Sequence, residues 1–236
     1  MIVFRRIILQ ALFVGLISGA IITGVQHIEV IPTIVEAEVY ENQASLVAEH
    51  VHSEGSDHLH TNLESSTSDI GRTAYTLLAN ILVAIGFSLL LLVCFLFVSK
   101  RDYKVLWYNG LLWGLAGFVI FNFAPAIGLP PELPGMEAAP LKNRQGWWFL
   151  TVILTGTGLG LAVFTKAIWG RILGIVLLLI PHIIGAPQPE HHASDVPKDL
   201  QDHFVLVSLI TSAVFWLILG SLNAFFYRNF RTKLEA

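Results

Sequence analysis

The sequence predicts an all-α fold, a polytopic membrane helix bundle of about six transmembrane helices with both termini in the cytoplasm. Three observations lead there. Hydrophobic residues make up 54% of the chain and charged ones 13%, about half the roughly 25% charge of a soluble domain. The apolar residues gather into runs long enough to cross a bilayer, which takes about 20 residues of helix. The connections between the runs carry lysine and arginine unequally on alternate sides, the bias that sets orientation. Nothing left outside the runs is long enough for a soluble domain, so residues 1–236 read as a single transmembrane domain.

The runs fall near residues 7–31, 73–98, 105–125, 147–164, 170–186 and 204–226. The first follows Arg5 and Arg6 and is too long for a signal-peptide core, with no A-x-A-like cleavage site after it, so a retained helix is expected. Between the first and second runs lies a connection of residues 32–72, expected outside the cell. Its beginning, from Pro32 to Glu41, has helix-forming composition and reads as a continuation of the first helix beyond a proline kink; its second part, from Glu49, is polar and reads as a mobile loop. The fourth and fifth runs are short and separated only by residues 165–169. Lys166 and Arg171 flank that gap, and charges at mid-bilayer are costly, so two helices joined by a tight turn are expected rather than one long helix.

Orientation follows from the basic residues. Arg5, Arg6, Lys100, Arg101, Lys104, Lys166, Arg171, Arg228, Arg231 and Lys233 fall on the side of the N-terminus, and only Arg72, Lys142, Arg144 and Lys198 on the other. The first side is therefore cytoplasmic. Acidic residues sort the opposite way, with only Asp102 and Glu235 inside. All nine histidines (His27, His50, His52, His58, His60, His182, His191, His192 and His203) fall outside or at outer helix ends. The chemistry is expected on the outer face.

Small residues recur four apart at Gly15 and Gly19, Gly110 and Gly114, and Gly170 and Gly174, a spacing that lets helix backbones approach in lipid. Gly156, Gly158 and Gly160 imitate a phosphate-binding pattern, but no strand precedes them, so a phosphate loop is not expected. Asn80 and Asn122 read as hydrogen-bond partners between helices. Cys94 is the only cysteine, which excludes an internal disulfide or a thiolate cage. Two helix exits resemble each other, Pro125-Ala-Ile-Gly128-Leu-Pro130-Pro131-Glu132 and Pro181-His182-Ile-Ile-Gly185-Ala-Pro187. Both belong to outward-running helices and so are expected at one membrane depth, as in a duplicated hairpin, with Trp147 and Trp148 as interfacial anchors. Proline frees a main-chain carbonyl, and a broken helix end is tolerated only where protein or water covers it.

The outer connections hold metal-binding composition. His50, His52, His58 and His60 form two H-x-H pairs interleaved with carboxylates, the kind of His-rich tract that binds metal. Imidazole with carboxylate suits cobalt, nickel, zinc or copper(II), and the lack of thiolates argues against copper(I). His191 and His192 belong to a second outer cluster, Glu38 and Glu41 share a helix face with Glu36 close by, and His27 and His182 sit at helix ends where an ionisable group is a functional candidate. Together with the outer carboxylates these residues would concentrate divalent cations. No resident cofactor is expected.

The runs Glu36-Ala-Glu38-Val-Tyr40-Glu41, Gly128-Leu-Pro-Pro-Glu-Leu-Pro-Gly135 and Pro181-His182-Ile-Ile-Gly-Ala-Pro187, with Tyr75-Thr-Leu-Leu-Ala-Asn80, resemble CbtA, the larger membrane subunit of an inferred bacterial cobalt transporter. The resemblance spans nearly the whole chain. It implies cobalt(II) uptake across the bacterial inner membrane for cobalamin synthesis, together with CbtB, a small single-span histidine-bearing partner. The family is often described with five helices, against six here.

Two other readings stay open on the residues alone. A metal-sensing or assembly subunit would keep the histidine loop without transporting. An intramembrane metalloenzyme is disfavoured, because no HExxH motif occurs and the histidine pairs fall on a loop. No GxxxxGK[ST] motif is present, so ATP hydrolysis by this chain is not expected, nor is a nucleic-acid partner.

Overall fold

The computed structural model describes residues 2–52, 65–99, 107–189, 194 and 196–235, with side chains at 4–43, 70–99, 108–189, 194 and 196–229. The described residues are helical throughout apart from short connections, as predicted. The helices are α1 (Ile2–Ile28), α2 (Val30–His52), α3 (Ser65–Ser99), α4 (Trp107–Phe118), a π-helical turn (Val119–Phe123), α5 (Ala124–Gly128), α6 (Leu141–Phe164), α7 (Ile168–Ile184) and α8 (Lys198–Glu235). Five stretches are long and apolar enough to cross a membrane: Phe4–Ile28, Ile70–Ser99, Tyr108–Gly128, Leu141–Phe164 and Lys198–Asn229.

Proline explains two of the interruptions. The break between α1 and α2 falls at Glu29, ahead of the expected kink at Pro32. Pro32 has no N–H to give the carbonyl of Ile28, and its ring crowds that same group. The strain is therefore expressed one turn upstream, while Pro32 itself sits in the first turn of α2, where a missing donor costs nothing. In the third crossing, Pro125 stands four residues after Phe121, and the chain passes through a π-helical turn there, with Ala124 N–H bonded to the carbonyl of Val119. The wider turn relieves the clash that an α-helix would impose. The helix α2 also continues through His52, so His50 and His52 belong to its last turn rather than to a loop.

The chain divides into two compact units. The first comprises residues 1–29, 49–115 and 213–236. In it Gly15 and Gly19 of α1 lie against Ile85 and Ile81 of α3, and Gly110 and Gly114 of α4 lie against Gly220 and Trp216 of α8. A core of Ala11, Leu92, Phe95 and Ala224 is flanked by Ile7, Leu89, Trp113 and Tyr227. Asn80 donates to Thr23 at 2.9 Å and to Gln26 at 2.7 Å, joining α3 to α1 as expected.

The second unit comprises residues 30–48 and 116–212. Here α6 and α7 form an antiparallel hairpin broken at Thr165 and Ala167, both in extended conformation. Arg171 closes the turn by donating from Nε to the Thr165 carbonyl at 3.2 Å, which satisfies an acceptor left over at the end of α6. The two-helix expectation for this region holds. Gly158 and Gly174 face each other so closely that a Cβ on either would lie 2.6 Å from the other's carbonyl oxygen. At the far end Trp147 of α6 reaches Pro181 of α7. The 17 residues of α7 cover about 25 Å at about 1.5 Å each, so α7 retraces most of α6, and it is shorter than the five stretches long enough to cross a membrane. Asn122, in the π-helical turn, donates to Ser212 of α8 at 3.3 Å.

Candidate functional site

The end of α7 is the more enclosed of the two regions where candidate residues meet protein. Pro181 is buried, and the carbonyl of Pro181 accepts two hydrogen bonds, from Gly185 N–H at 3.1 Å and from Trp147 Nε1 at 3.2 Å. Gly185 ends the helix with φ of 85°, a conformation that favours glycine. His182, half-buried, stands edge-on to the Trp147 ring with centroids 6.1 Å apart. A Cβ at Gly128, the last residue of α5, would lie 2.6 Å from Trp147 Cη2 and 2.8 Å from Ala186 Cβ. The two proline-bearing exits therefore meet, at one level, on the same indole. This corrects one expectation, because Trp147 is 6% exposed and wedges the two exits instead of anchoring a lipid interface. Trp148 packs near Phe121 of the π-helical turn, with centroids 6.2 Å apart.

Beside these exits, α2 rests on the segment after α5. Ala37, Leu133, Val196 and Phe204 form a buried cluster flanked by Val30, Ile34, Tyr40, Met136 and Leu200. Gly135, with φ of 81°, passes against Glu41, its nearest Cβ approach being 3.4 Å. Glu132 pairs with Arg144 in the first turns of α6. Glu36 and Glu41 are exposed on α2 and Glu38 is half-buried. The three motif runs at residues 36–41, 128–135 and 181–187 thus belong to one unit and pack on one another in sequence.

His27 belongs to the other unit, at the end of α1. Its Nδ1 lies 3.0 Å from the carbonyl of Thr23 and its Nε2 3.1 Å from the hydroxyl of Thr73 on α3. A carbonyl only accepts, so Nδ1 carries a proton toward Thr23, and Nε2 is directed at the Thr73 hydroxyl. Metal-ligating histidines are commonly oriented in this way, through a carbonyl on the second ring nitrogen. Thr23 is held in turn, donating to Gly19 at 2.8 Å and accepting from Asn80.

The remaining candidates fall elsewhere. His58, His60, His191 and His192 lie outside the described residues, and the side chains of His50 and His52 lie outside the described side chains. Among the described residues no three His, Cys, Asp or Glu side chains come together as a metal cage. Sequence reasoning missed the wedge role of Trp147 and the π-helical turn at Asn122. The signal for the turn was present in Pro125, whose effect four residues upstream is predictable; the signal for Trp147 was not, because it depends on Gly128 leaving space.

The family model described as "Probable cobalt transporter subunit (CbtA)" matches residues 4–228. No curated protein and no solved structure matches the chain. With nearly its whole length matched, the chain belongs to this family.

Proposed function

We propose that this CbtA family member, a cobalt transporter subunit by descent, takes up divalent metal by collecting it on an extracytoplasmic face rich in histidine and carboxylate and passing it inward at His182. The observation that carries the reading is the meeting of the two proline-bearing exits on Trp147, with His182 half-buried beside them. An imidazole at such a place can exchange a ligand with an arriving aquo-cation while its surroundings stay fixed. Capture begins further out. The carboxylates of Glu36, Glu38 and Glu41 and the histidine tracts at His50, His52, His58, His60, His191 and His192 draw cations from solution, and the tracts bind without enforcing geometry. His27, with Nε2 already oriented, is a second stationary donor. Cobalt as the cargo rests on the family, and the ligand chemistry admits its divalent neighbours. The membrane is the bacterial inner membrane, both termini face the cytoplasm, and a small single-span CbtB-like subunit is the partner. The chain itself is not an enzyme.

The test is radiolabelled cobalt accumulation in intact cells producing the chain with and without a CbtB-like subunit. Uptake that collapses in His182→Ala at unchanged membrane levels is the expected result. No uptake under either condition overturns transport and leaves a metal-sensing or assembly role.

A further inference from the structure

Thr155 is fully buried in α6, and its hydroxyl has no hydrogen-bond partner among the described residues. Ser18 of α1 is in the same state, but a different one is commoner. Thr23, Thr76, Ser99, Thr151 and Ser221 each return the hydroxyl to the carbonyl four residues back in their own helix. Thr155 makes no such bond to the carbonyl of Thr151. The next residue, Gly156, lies against Ile120 of the π-helical turn, and Gly158 touches Gly174 of α7. The hydroxyl thus sits where α6 is flanked by both.

A second polar group opens into the same seam. Pro181, itself buried, has no N–H for the carbonyl of Leu177. The fixed contacts Gly158 to Gly174 and Trp147 to Pro181 set the register, and they place Thr155 within about one turn of Leu177. The Thr155 hydroxyl, buried and unpartnered among the described residues, and the Leu177 carbonyl, without the N–H that a helix would give it, form a donor and an acceptor with no charge between them. Buried polar groups of this kind are bridged by water, typically through about three hydrogen bonds.

We infer that the α6–α7 seam holds an internal water, hydrogen-bonded to the Thr155 hydroxyl and donating to the Leu177 carbonyl. The site stands on the geometry of the hairpin alone. Its consequence for transport rests on the proposed uptake role: the seam is wet about two turns of α6 beyond Trp147 and His182, so a cation leaving His182 meets an oxygen ligand there.

The experiment is radiolytic hydroxyl-radical footprinting of the purified full chain, in which a bound water oxidises the side chains beside it. The reporter is Pro181, buried from bulk solvent, with exposed Tyr75 as reference. Pro181 is expected to be oxidised in the wild type, several-fold less in Thr155→Val, and again at the wild-type level in Thr155→Ser. An unlabelled Pro181 in the wild type overturns the site, as does labelling that Thr155→Val leaves unchanged. Neither result depends on cobalt transport, so loss of the uptake reading leaves this test intact.

Discussion

Asn223 shows how single polar residues hold the transmembrane helices of the first unit. It is fully buried in α8; its side-chain oxygen accepts from Ser88 at 2.7 Å, its amide donates to Leu219 at 2.9 Å, and its main-chain carbonyl accepts from Gln10 at 2.9 Å. Helices α1, α3 and α8 meet there. Replacing it by leucine leaves the Gln10 bond in place and strands only Ser88, whose hydroxyl can turn back to the carbonyl of Ala84. The expected loss is accordingly small, about 1 kcal/mol, within the range for hydrogen bonds between membrane helices. Thermal unfolding in detergent should show Asn223→Leu and Ser88→Ala each lowering the midpoint, with the double variant less than additive because both remove one bond. Trp147 is the corresponding residue of the second unit. Trp147→Phe keeps a ring beside His182 but removes the donor to Pro181, a loss of about 1 kcal/mol. Cobalt accumulation should fall while membrane levels hold, and unchanged uptake would remove Trp147 from the proposed mechanism.

Between helices, glycine decides how near two backbones come. The α6–α7 hairpin offers an internal comparison, because Gly158 faces the main chain of Gly174 whereas a Cβ at Gly160 meets nothing within 4 Å. A backbone cannot step aside as a flexible side chain can, so Gly158→Ala should force the helices apart at a cost of about 1–3 kcal/mol. Gly160→Ala should be neutral or slightly stabilising, since alanine is the better helix former. Equal midpoints for the two variants would show that the hairpin is looser than its geometry indicates. The glycine pairs were legible in the sequence as packing sites, but their partners were not. Spacing reveals that a face is smooth, whereas the identity of the opposing helix depends on the whole topology.

Topology is the prediction that belongs to the whole molecule. Six crossings with both termini inside place residue 194 outside and residue 166 inside, and both Ser194 and Lys166 are exposed. In a Cys94→Ala background, an impermeant thiol reagent applied to intact cells should label Ser194→Cys at once and Lys166→Cys only after the membrane is opened. The reverse pattern would invert the orientation. The proposed metal capture makes a second prediction at this scale. Imidazole binds metal in its neutral form and competes with protons for the same lone pair. Cobalt retention by right-side-out vesicles should therefore fall on acidification from about pH 7.5 to about pH 5.5. Deleting residues 49–60 should remove much of that dependence.

The sequence by itself determined the membrane class, the all-α fold, the break between α6 and α7 and the packing role of the glycines, because each follows from local quantities such as run length, charge placement and residue size. It also contained the runs that carry the resemblance to the family. The tertiary structure alone decided that those runs share one unit, that the proline exits meet on a buried Trp147, and that Thr155 is buried in α6 without a hydrogen-bond partner among the described residues. These are relations between residues far apart in the chain. They are set by which helices approach closely enough to exclude side chains, and local pattern holds no record of that.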